Sequence, residues 1–291
     1  MPTALRPLPV YAGNSLLTGA AREYAADPIA LLRKLLARYP DVVQVNLGRR
    51  QLVICHNADF IQHMLVTGQK NYVHPRAFMR VYHTARGVSL FTSEGEYWRR
   101  QRRLLQPAFH REQVARMDTI FTEEVGRTLE RWAARSGPFD AQADLKLITL
   151  NTVGRALFGK RLDDGEGRVF RQALDDLVTW ATRRLTALAP LPPAIPTPAN
   201  RRFQRARALV HGTLTALIQE RRAQPPDAHH DLLQSLINAR DEDTGQGMTD
   251  QQIISEAIGL FFAGHETTAD TLAWTLYLLG RHPDLQARVQ A

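Results

Sequence analysis

The stretch from Thr249 to Gly280 constrains the fold most, because its apolar residues recur at helical spacing on nearly every side. Thr249 is a good N-cap residue, and a helix of this length would extend roughly 45 Å, enough to cross a whole domain. A helix that is apolar nearly all round is normally buried. The stretch therefore predicts a long, buried central helix over 249–280.

A polar run interrupts this helix: positions 263–268 read Ala-Gly-His-Glu-Thr-Thr. A buried charge such as that of Glu266 is costly unless it has a partner or a task. Ala263 and Thr267 are four residues apart and share a face, which leaves room for a planar cofactor and a small bound molecule. Gly264 indicates a close approach or a local kink. The alternative is a plain core helix, in which the threonine hydroxyl bonds to the backbone carbonyl one turn back.

The pair His265-Glu266 also invites a zinc-protease interpretation. That motif requires a second histidine three residues after the glutamate, on the same face of the helix. Position 269 is Ala269, so the sequence excludes this motif.

A basic segment lies near position 100, where Tyr97 and Trp98 precede four arginines. Trp98 and Arg102 are four residues apart and share a face, and a guanidinium suits carboxylates and phosphates. The pair could therefore clamp a carboxylate of a cofactor. The remaining arginines, Arg99, Arg100 and Arg103, lie partly on other faces. A solvated basic face and a nucleic-acid-binding helix are the alternatives.

The rest of the chain predicts a mainly α fold with a small N-terminal β-sheet. The β-branched run from Val42 and the run ending at Cys55 flank a turn at Gly48, as in a hairpin. Ser93 and Glu96 have the spacing of a capping box. Proline density predicts an extended connection over 189–199. Helical spacing predicts further helices over 59–67, 93–105, 111–134, 144–158, 165–188, 200–223 and 230–240.

The bulk composition fits a globular chain, with 44% apolar residues and a formal charge of +8. Such a charge suits nucleic acid, anionic lipid or an acidic protein partner. A single cysteine excludes an internal disulfide and favours a reducing cytoplasm. The N-terminus has prolines where a signal peptide needs an apolar run, and no apolar stretch approaches the roughly 20 residues of a membrane span. We therefore expect a soluble, cytoplasmic protein without a membrane anchor.

The two motifs together resemble the cytochrome P-450 superfamily of haem-thiolate monooxygenases. Its oxygen-binding helix reads small-Gly-x-acid-Thr-Thr, which Ala263–Thr268 matches, and an earlier helix carries Trp-x-x-x-Arg, which Trp98 and Arg102 match. The separation of the motifs, the N-terminal hairpin and the proline-rich connection also fit. The resemblance covers essentially the whole chain and implies one cytochrome P-450 domain over 1–291, with 249–280 as oxygen-binding helix and 189–199 joining two lid helices.

The resemblance also implies roles for single residues. Trp98 and Arg102 would bind a haem propionate, and Ala263 and Gly264 would lie over the haem. Glu266 and Thr267 would deliver protons during oxygen activation, favouring cleavage of the O–O bond. Three residues would line the pocket of an apolar small-molecule substrate, with plain core packing as the alternative, namely Leu90, Phe91 and Phe262. Three arginines would dock an acidic electron donor, namely Arg99, Arg100 and Arg103.

The chain departs from the family pattern after the oxygen motif. The family has a later Glu-x-x-Arg pair and a loop whose cysteine thiolate ligates the iron, and that thiolate pushes electron density toward the oxygen. Neither occurs in 271–291. The single cysteine, Cys55, lies in the predicted hairpin, where a small buried apolar residue is expected. We therefore expect a C-terminally truncated member that contains no axial cysteine and is inactive by itself.

Three functions follow as hypotheses. The first is a monooxygenase by descent, which uses haem, dioxygen and electrons from NAD(P)H relayed by a ferredoxin, a flavodoxin or a reductase. The second is a non-catalytic helical remnant that binds a ligand or a partner. The third, a basic nucleic-acid binder, would bind polyanions in a salt-dependent manner, but nothing else in the chain resembles a nucleic-acid-binding motif.

Overall fold

The computed structural model describes residues 7–15, 17–48, 50–187 and 191–291, and only the backbone of Thr186. These residues form two compact units, of which the first ends at His74 and the second spans Pro75–Ala291. The organisation of 1–291 as one domain stays a prediction.

The first unit contains a three-stranded sheet in the order β1-β2-β3. Strand β1 pairs in parallel with β2, and β2 pairs antiparallel with β3, so that Val42 lies opposite Cys55. The predicted hairpin is therefore confirmed, whereas the short first strand was missed. In chain order the elements are β1 (Val10–Tyr11), α1 (Ala21–Ala26), α2 (Pro28–Arg38), β2 (Val42–Leu47), β3 (Arg50–Cys55) and α3 (Ala58–Gln62), followed by a π-helical turn at His63–Thr67 and a 3-10 turn at Gln69–Asn71.

The core of the first unit lies between α2 and the sheet. Leu31 and Leu35 of α2 pack with Val43 and Val45 of β2, since residues two apart share one face of a strand. Cys55 is only half-buried, and its Sγ lies 3.8 Å from the carbonyl oxygen of Asn57. The expectation of a fully buried cysteine is therefore wrong, because β3 is an edge strand of the described sheet.

The described part of the second unit contains helices, turns and loops but no strand. Its largest core packs side chains of α8, α9, α10, α11 and α12 together. The helices are α4 (Arg76–Arg86), α5 (Gly95–Leu105), α6 (Arg111–Ala115), α7 (Asp118–Ala133), α8 (Ala141–Phe158), α9 (Gly165–Thr186), α10 (Pro198–Arg222), α11 (Leu232–Asn238), α12 (Asp250–Arg281) and α13 (Pro283–Gln290), with a 3-10 turn at Gln106–Phe109.

Several helix boundaries differ from the sequence prediction by a few residues, and two of the differences have a clear cause in the backbone. Helix α5 begins at Gly95 with Glu94 as N-cap and no side-chain cap, so the capping box of Ser93 and Glu96 is wrong. Gly95 has a φ of +62°, and this left-handed residue starts the helix later than the periodicity indicates. The single helix predicted over 111–134 is also wrong, because the chain turns at Arg116 and Met117 between α6 and α7.

The proline-rich connection joins α9 to α10, and its residues 188–190 lie outside the described part. From Leu191 to Thr197 the chain is non-helical, as the prolines predict. Trp180 of α9 stacks on Phe203 of α10 with ring centroids 3.9 Å apart. The two flanking helices therefore pack directly against each other, and their role as a lid stays a prediction.

Helix α12 is buried only in its first half. From Ile253 to Phe262 almost every side chain lies in the core, whereas Leu272 is 40% and Trp274 65% exposed. The prediction of burial along the whole helix is therefore wrong for its second half. Within the described ranges, no helix combines the length and the apolar character needed to cross a membrane.

Candidate active site

The candidate site is built on α12, whose start is fixed by side chains. The Thr249 hydroxyl accepts from the Gln252 backbone N–H at 3.3 Å, and Gln252 Oε1 accepts from the Thr249 N–H at 2.8 Å. This capping box satisfies two amide groups that the first turn of a helix leaves without partners. The helix therefore enters the core in a defined register.

One face of α12 is occupied by α8. A Cβ built on Gly264 would lie 2.8 Å from Cγ2 of Val153, so this glycine permits the close approach of the two helices. His265 is 7% exposed, and its Nε2 lies 3.2 Å from the carbonyl oxygen of Lys146. Burial lowers the pKa of His265. Gly264 is thus explained by helix packing, and its place over a cofactor stays a prediction.

The next face carries the remaining motif residues. Ala263 is half-buried, Glu266 and Thr267 are exposed, and Asp270 continues the same stripe one turn further. The Thr267 hydroxyl donates to the carbonyl oxygen of Ala263 at 2.5 Å. This is the contact that the plain-helix interpretation expects, but the hydroxyl oxygen still has lone pairs for a second hydrogen bond. The stripe thus presents the carboxylate of Glu266 and the hydroxyl of Thr267 at consecutive positions of one turn.

Phe262 links the motif to α4. It is 8% exposed, and the guanidinium of Arg86 lies 4.2 Å from its ring centroid and 4.9 Å from that of Tyr82. Burial lowers the pKa of Arg86, and the charges of Tyr82 and Glu266 act in the opposite direction. Phe262 thus lies beside the candidate acid, with a cation stacked on its ring.

Leu90 and Phe91 lie in the turn between α4 and α5. The Leu90 N–H donates to both carboxylate oxygens of Glu256, at 2.9 and 3.0 Å. Phe91 is 50% exposed and approaches α12 beside Gly259. Plain core packing therefore does not describe Phe91, and the structure brings both predicted pocket residues onto the first half of α12.

Trp98 and Arg102 meet on one face of α5, as their spacing predicts. The Arg102 guanidinium lies 5.4 Å from the Trp98 ring centroid. Among the described residues, neither the Trp98 indole N–H nor Arg102 has a hydrogen-bond or ion-pair partner. A pair of donors without an acceptor in the part of the chain that the structure describes suits an external carboxylate.

The other arginines of α5 are bound by acceptors of this chain. Arg99 pairs with Glu96, and Arg103 lies 3.0 Å from both Asp241 and Asp243. Arg100 donates to the carbonyl oxygen of Gly247 at 3.1 Å. These contacts neutralise much of the basic face that a nucleic-acid interpretation requires. The docking of an electron donor to this face stays a prediction.

Sequence reasoning missed two residues of this region, Glu256 and Arg86. Glu256 lies within an apolar run, where an acid needs a partner, so a signal existed. Arg86 gave none, because the contact with Phe262 depends on tertiary packing. In the part of the chain that the structure describes, no three His, Cys, Asp or Glu side chains gather as ligands of a metal ion.

Known proteins with a similar sequence or fold include oxygenases and a haem domain. The family model of cytochrome P-450 matches residues 7–291. Cyclooctat-9-en-7-ol 5-monooxygenase of Streptomyces melanosporofaciens is 31% identical over 284 residues, which is 96% of this chain and 60% of that protein. Pentalenene oxygenase of Streptomyces avermitilis is 30% identical over 273 residues, again covering 60% of its length. The crystal structure of the haem domain of cytochrome P-450DA matches with a TM-score of 0.85 and 25% identity, over 98% of this chain and 62% of that one.

The fold is mainly helical, with a small N-terminal sheet and a polar motif on the long helix α12. The chain belongs to the cytochrome P-450 family. This confirms the resemblance and the fold expected from the sequence. The chain spans about 60% of the length of the curated relatives it matches.

Proposed function

We propose that this chain forms the oxygen-activating and substrate-facing side of a haem monooxygenase that hydroxylates an apolar small molecule. One observation carries the proposal: α12 presents Glu266 and Thr267 beside Phe262 on a face that neighbouring helices leave open. Bound haem would supply the iron at which dioxygen, two electrons and two protons convert a C–H bond into C–OH and water.

The residues present fit a haem group by their donors. A haem propionate is a carboxylate, and Trp98 and Arg102 offer an indole N–H and a guanidinium without an acceptor among the described residues. Ala263 carries only a methyl group on this face of α12, which would leave room for a planar macrocycle. Gly264 serves the contact with α8 and is not needed for this fit.

Glu266 and Thr267 would transfer protons from solvent into this site. The Thr267 hydroxyl donates to Ala263, so its oxygen remains available to accept a hydrogen bond. The exposed carboxylate of Glu266, the residue directly before Thr267, can exchange protons with solvent. The two side chains would thus hold a proton path that ends at the Thr267 oxygen.

Leu90, Phe91 and Phe262 would exclude water and bind an apolar substrate. Phe91 keeps half of its surface free, which suits a side chain that contacts a ligand. Two relatives are named as oxygenases of cyclooctat-9-en-7-ol and pentalenene. We infer a substrate of similar class, a largely hydrocarbon molecule without a charge.

Electrons would come from NAD(P)H through an acidic ferredoxin, flavodoxin or reductase. Arg99, Arg100 and Arg103 remain the proposed docking face, although the carboxylates of Glu96, Asp241 and Asp243 already compensate the charges of Arg99 and Arg103. A weak, salt-sensitive complex is therefore expected, because rim charges mainly steer association.

The proposed chemistry needs a thiolate on the iron. Cys55 is the one cysteine of the sequence, and it lies on β3 of the first unit. We propose that Cys55 does not ligate the iron and that these 291 residues alone do not complete the haem-thiolate site.

The test is an optical titration of the chain with haem, followed by reduction and exposure to carbon monoxide. We expect binding that depends on Trp98 and Arg102, with the spectrum of a haem without a thiolate. A strongly red-shifted Soret band that the variant C55A abolishes would overturn the assignment of Cys55. Absence of any specific haem binding would overturn the proposed function.

A further inference from the structure

Glu256 is an acid in the core of the second unit. Its side chain lies on α12 within an apolar run and is 0% exposed. Both carboxylate oxygens accept the Leu90 N–H, at 2.9 and 3.0 Å. An ionisable group at such a position is costly, so a contact that it alone provides is the best reason for its presence.

The segment held by Glu256 is a closed turn, Gly87–Ser93. The Thr92 hydroxyl accepts from the Ser89 N–H at 2.9 Å, and His83 Nε2 lies 2.7 Å from the Thr92 carbonyl oxygen. These bonds set the shape of the turn but leave the Leu90 N–H to Glu256. The turn is therefore connected to α12 through one carboxylate.

Two glycines let the turn approach α12 closely. Gly87 has a φ of +83°, and a Cβ built on it would lie 2.1 Å from the Ser255 hydroxyl oxygen. A Cβ built on Gly259 would lie 3.2 Å from Cδ2 of Phe91. Ser255, Glu256 and Gly259 occupy neighbouring positions on one side of the helix. The turn thus lies in direct contact with two successive turns of α12.

The same side of α12 leads to the candidate site. One turn beyond Gly259 lies Phe262 with Arg86 stacked on its ring, and Glu266 follows one turn later. The turn Gly87–Ser93 and the end of α4 therefore form one wall along α12, which ends at the proposed catalytic residues.

We propose that Glu256 is a positioning residue, whose carboxylate fixes Leu90 and Phe91 on α12 and thereby sets one wall of the substrate pocket. The role of Glu256 in a substrate pocket rests on the proposed function, whereas its contact with Leu90 does not. An acid that merely tolerated burial would be replaceable by an apolar residue without any change in the turn.

Hydrogen exchange of the peptide 87–93 tests the contact without haem or substrate. In E256L the Leu90 amide loses its acceptor, and in E256D the carboxylate is one methylene too short. We expect exchange of this peptide to rise at least tenfold in both variants, while E256Q retains an acceptor and stays near the wild type. The control D175N removes a carboxylate from α9 and leaves the peptide unchanged. Unchanged exchange in both E256L and E256D would overturn the proposal.

Ligand affinity tests the pocket wall. The probe is pentalenene, titrated into the haem-loaded protein and followed by the shift of the Soret band. We expect about tenfold weaker binding in E256L and E256D, restoration in E256Q, and equal haem affinity in all four proteins. Equal losses in E256Q and E256L would overturn the positioning role. Failure of the wild type to bind haem would overturn the proposed function, whereas the exchange result would still decide what Glu256 holds.

Discussion

The Thr267 hydroxyl donates to the carbonyl oxygen of Ala263, one turn back on α12, at 2.5 Å. Thr271 and Thr275 repeat the contact with the carbonyls of Thr267 and Thr271, each at 2.8 Å. The contact alone is thus a local property of threonine in this helix. What distinguishes Thr267 is its position beside Ala263, Glu266 and Phe262 on α12.

Replacing Thr267 by valine tests this distinction. T267V keeps the shape of the side chain but removes the hydroxyl, so the proposed proton path loses its last group. In enzyme reconstituted with haem and with the thiolate ligand that these 291 residues do not supply, we expect about a hundredfold loss of product formed per electron pair consumed. We expect little change in stability, because the side chain is exposed. The matched variant T268V removes the neighbouring exposed hydroxyl. Equal effects of the two variants would count against the proposed role of Thr267.

The pair Trp98 and Arg102 gives a prediction on haem affinity. R102L removes a cation that stacks on Trp98 and lacks an acceptor among the described residues. We expect the dissociation constant for haem to rise about tenfold, since a charge-assisted hydrogen bond in a partly exposed site is lost. A smaller rise is expected for W98F, which removes one donor.

The control for this experiment is R99L. Arg99 lies on the same helix, is similarly basic and pairs with Glu96. Haem titrations of the three variants should therefore separate a specific contact from a loss of net charge. If R99L weakened haem binding as much as R102L, the propionate contact would be refuted.

Sequence periodicity predicted the elements that local physics determines. The hairpin of β2 and β3 and the capped start of α12 follow from β-branched runs, a turn and an N-cap residue, and the structure has them. The start of α5 did not follow, because the left-handed Gly95 overrides the serine three residues before Glu96. Local rules thus fail where a single backbone torsion decides the boundary.

The candidate site was predictable only in part, for a similar reason. Trp98 with Arg102 and Ala263 with Thr267 lie at four-residue spacings, so their proximity follows from the helix itself. The contacts of Glu256 with Leu90 and of Arg86 with Phe262 join different elements. No spacing within one helix encodes such pairs, and they appear only once tertiary packing is known.

Glu256 also gives a prediction on pH. Burial raises the pKa of Glu256 to about 7 from its ordinary value of 4.5, and the hydrogen bond from Leu90 offsets only part of this. Between these values the folded protein retains a proton that the unfolded chain has lost, so the folded state becomes less stable as the pH rises from about 4.5 to about 7. A rise of the pKa from 4.5 to about 7 corresponds to a contribution on the order of 3 kcal/mol.

Urea unfolding of the wild type and E256Q between pH 4.5 and 8 measures this contribution. Other acids titrate in both proteins, so the informative quantity is the difference between their free energies of unfolding. We expect the free energy of unfolding of E256Q to rise relative to that of the wild type as the pH rises to about 7. Above that pH the difference should stay constant. A difference that does not vary with pH would show that the Glu256 carboxylate ionises normally in the fold.

The ion cluster around Glu124 gives a prediction on stability. Glu124 of α7 is 2% exposed and pairs with Arg127 at 3.0 Å, Arg155 of α8 at 2.9 Å and Arg161 at 2.7 Å. Removing the carboxylate leaves three guanidinium groups together without their shared partner. The arginines retain 22% to 47% of their side-chain surface, so solvent compensates part of the loss.

We therefore expect E124L to lower the free energy of unfolding by about 2 kcal/mol, less than the roughly 3–5 kcal/mol that breaking a fully buried pair costs. The neighbouring acid provides the matched control, because Glu123 also contacts Arg155 at 2.8 Å but is half exposed. E123L should cost less than about 1 kcal/mol, as exposed pairs do. Urea unfolding of both variants at low and high salt completes the test, since screening should reduce the effect of E123L more than that of E124L. Equal losses in the two variants would show that burial of Glu124 does not strengthen the cluster.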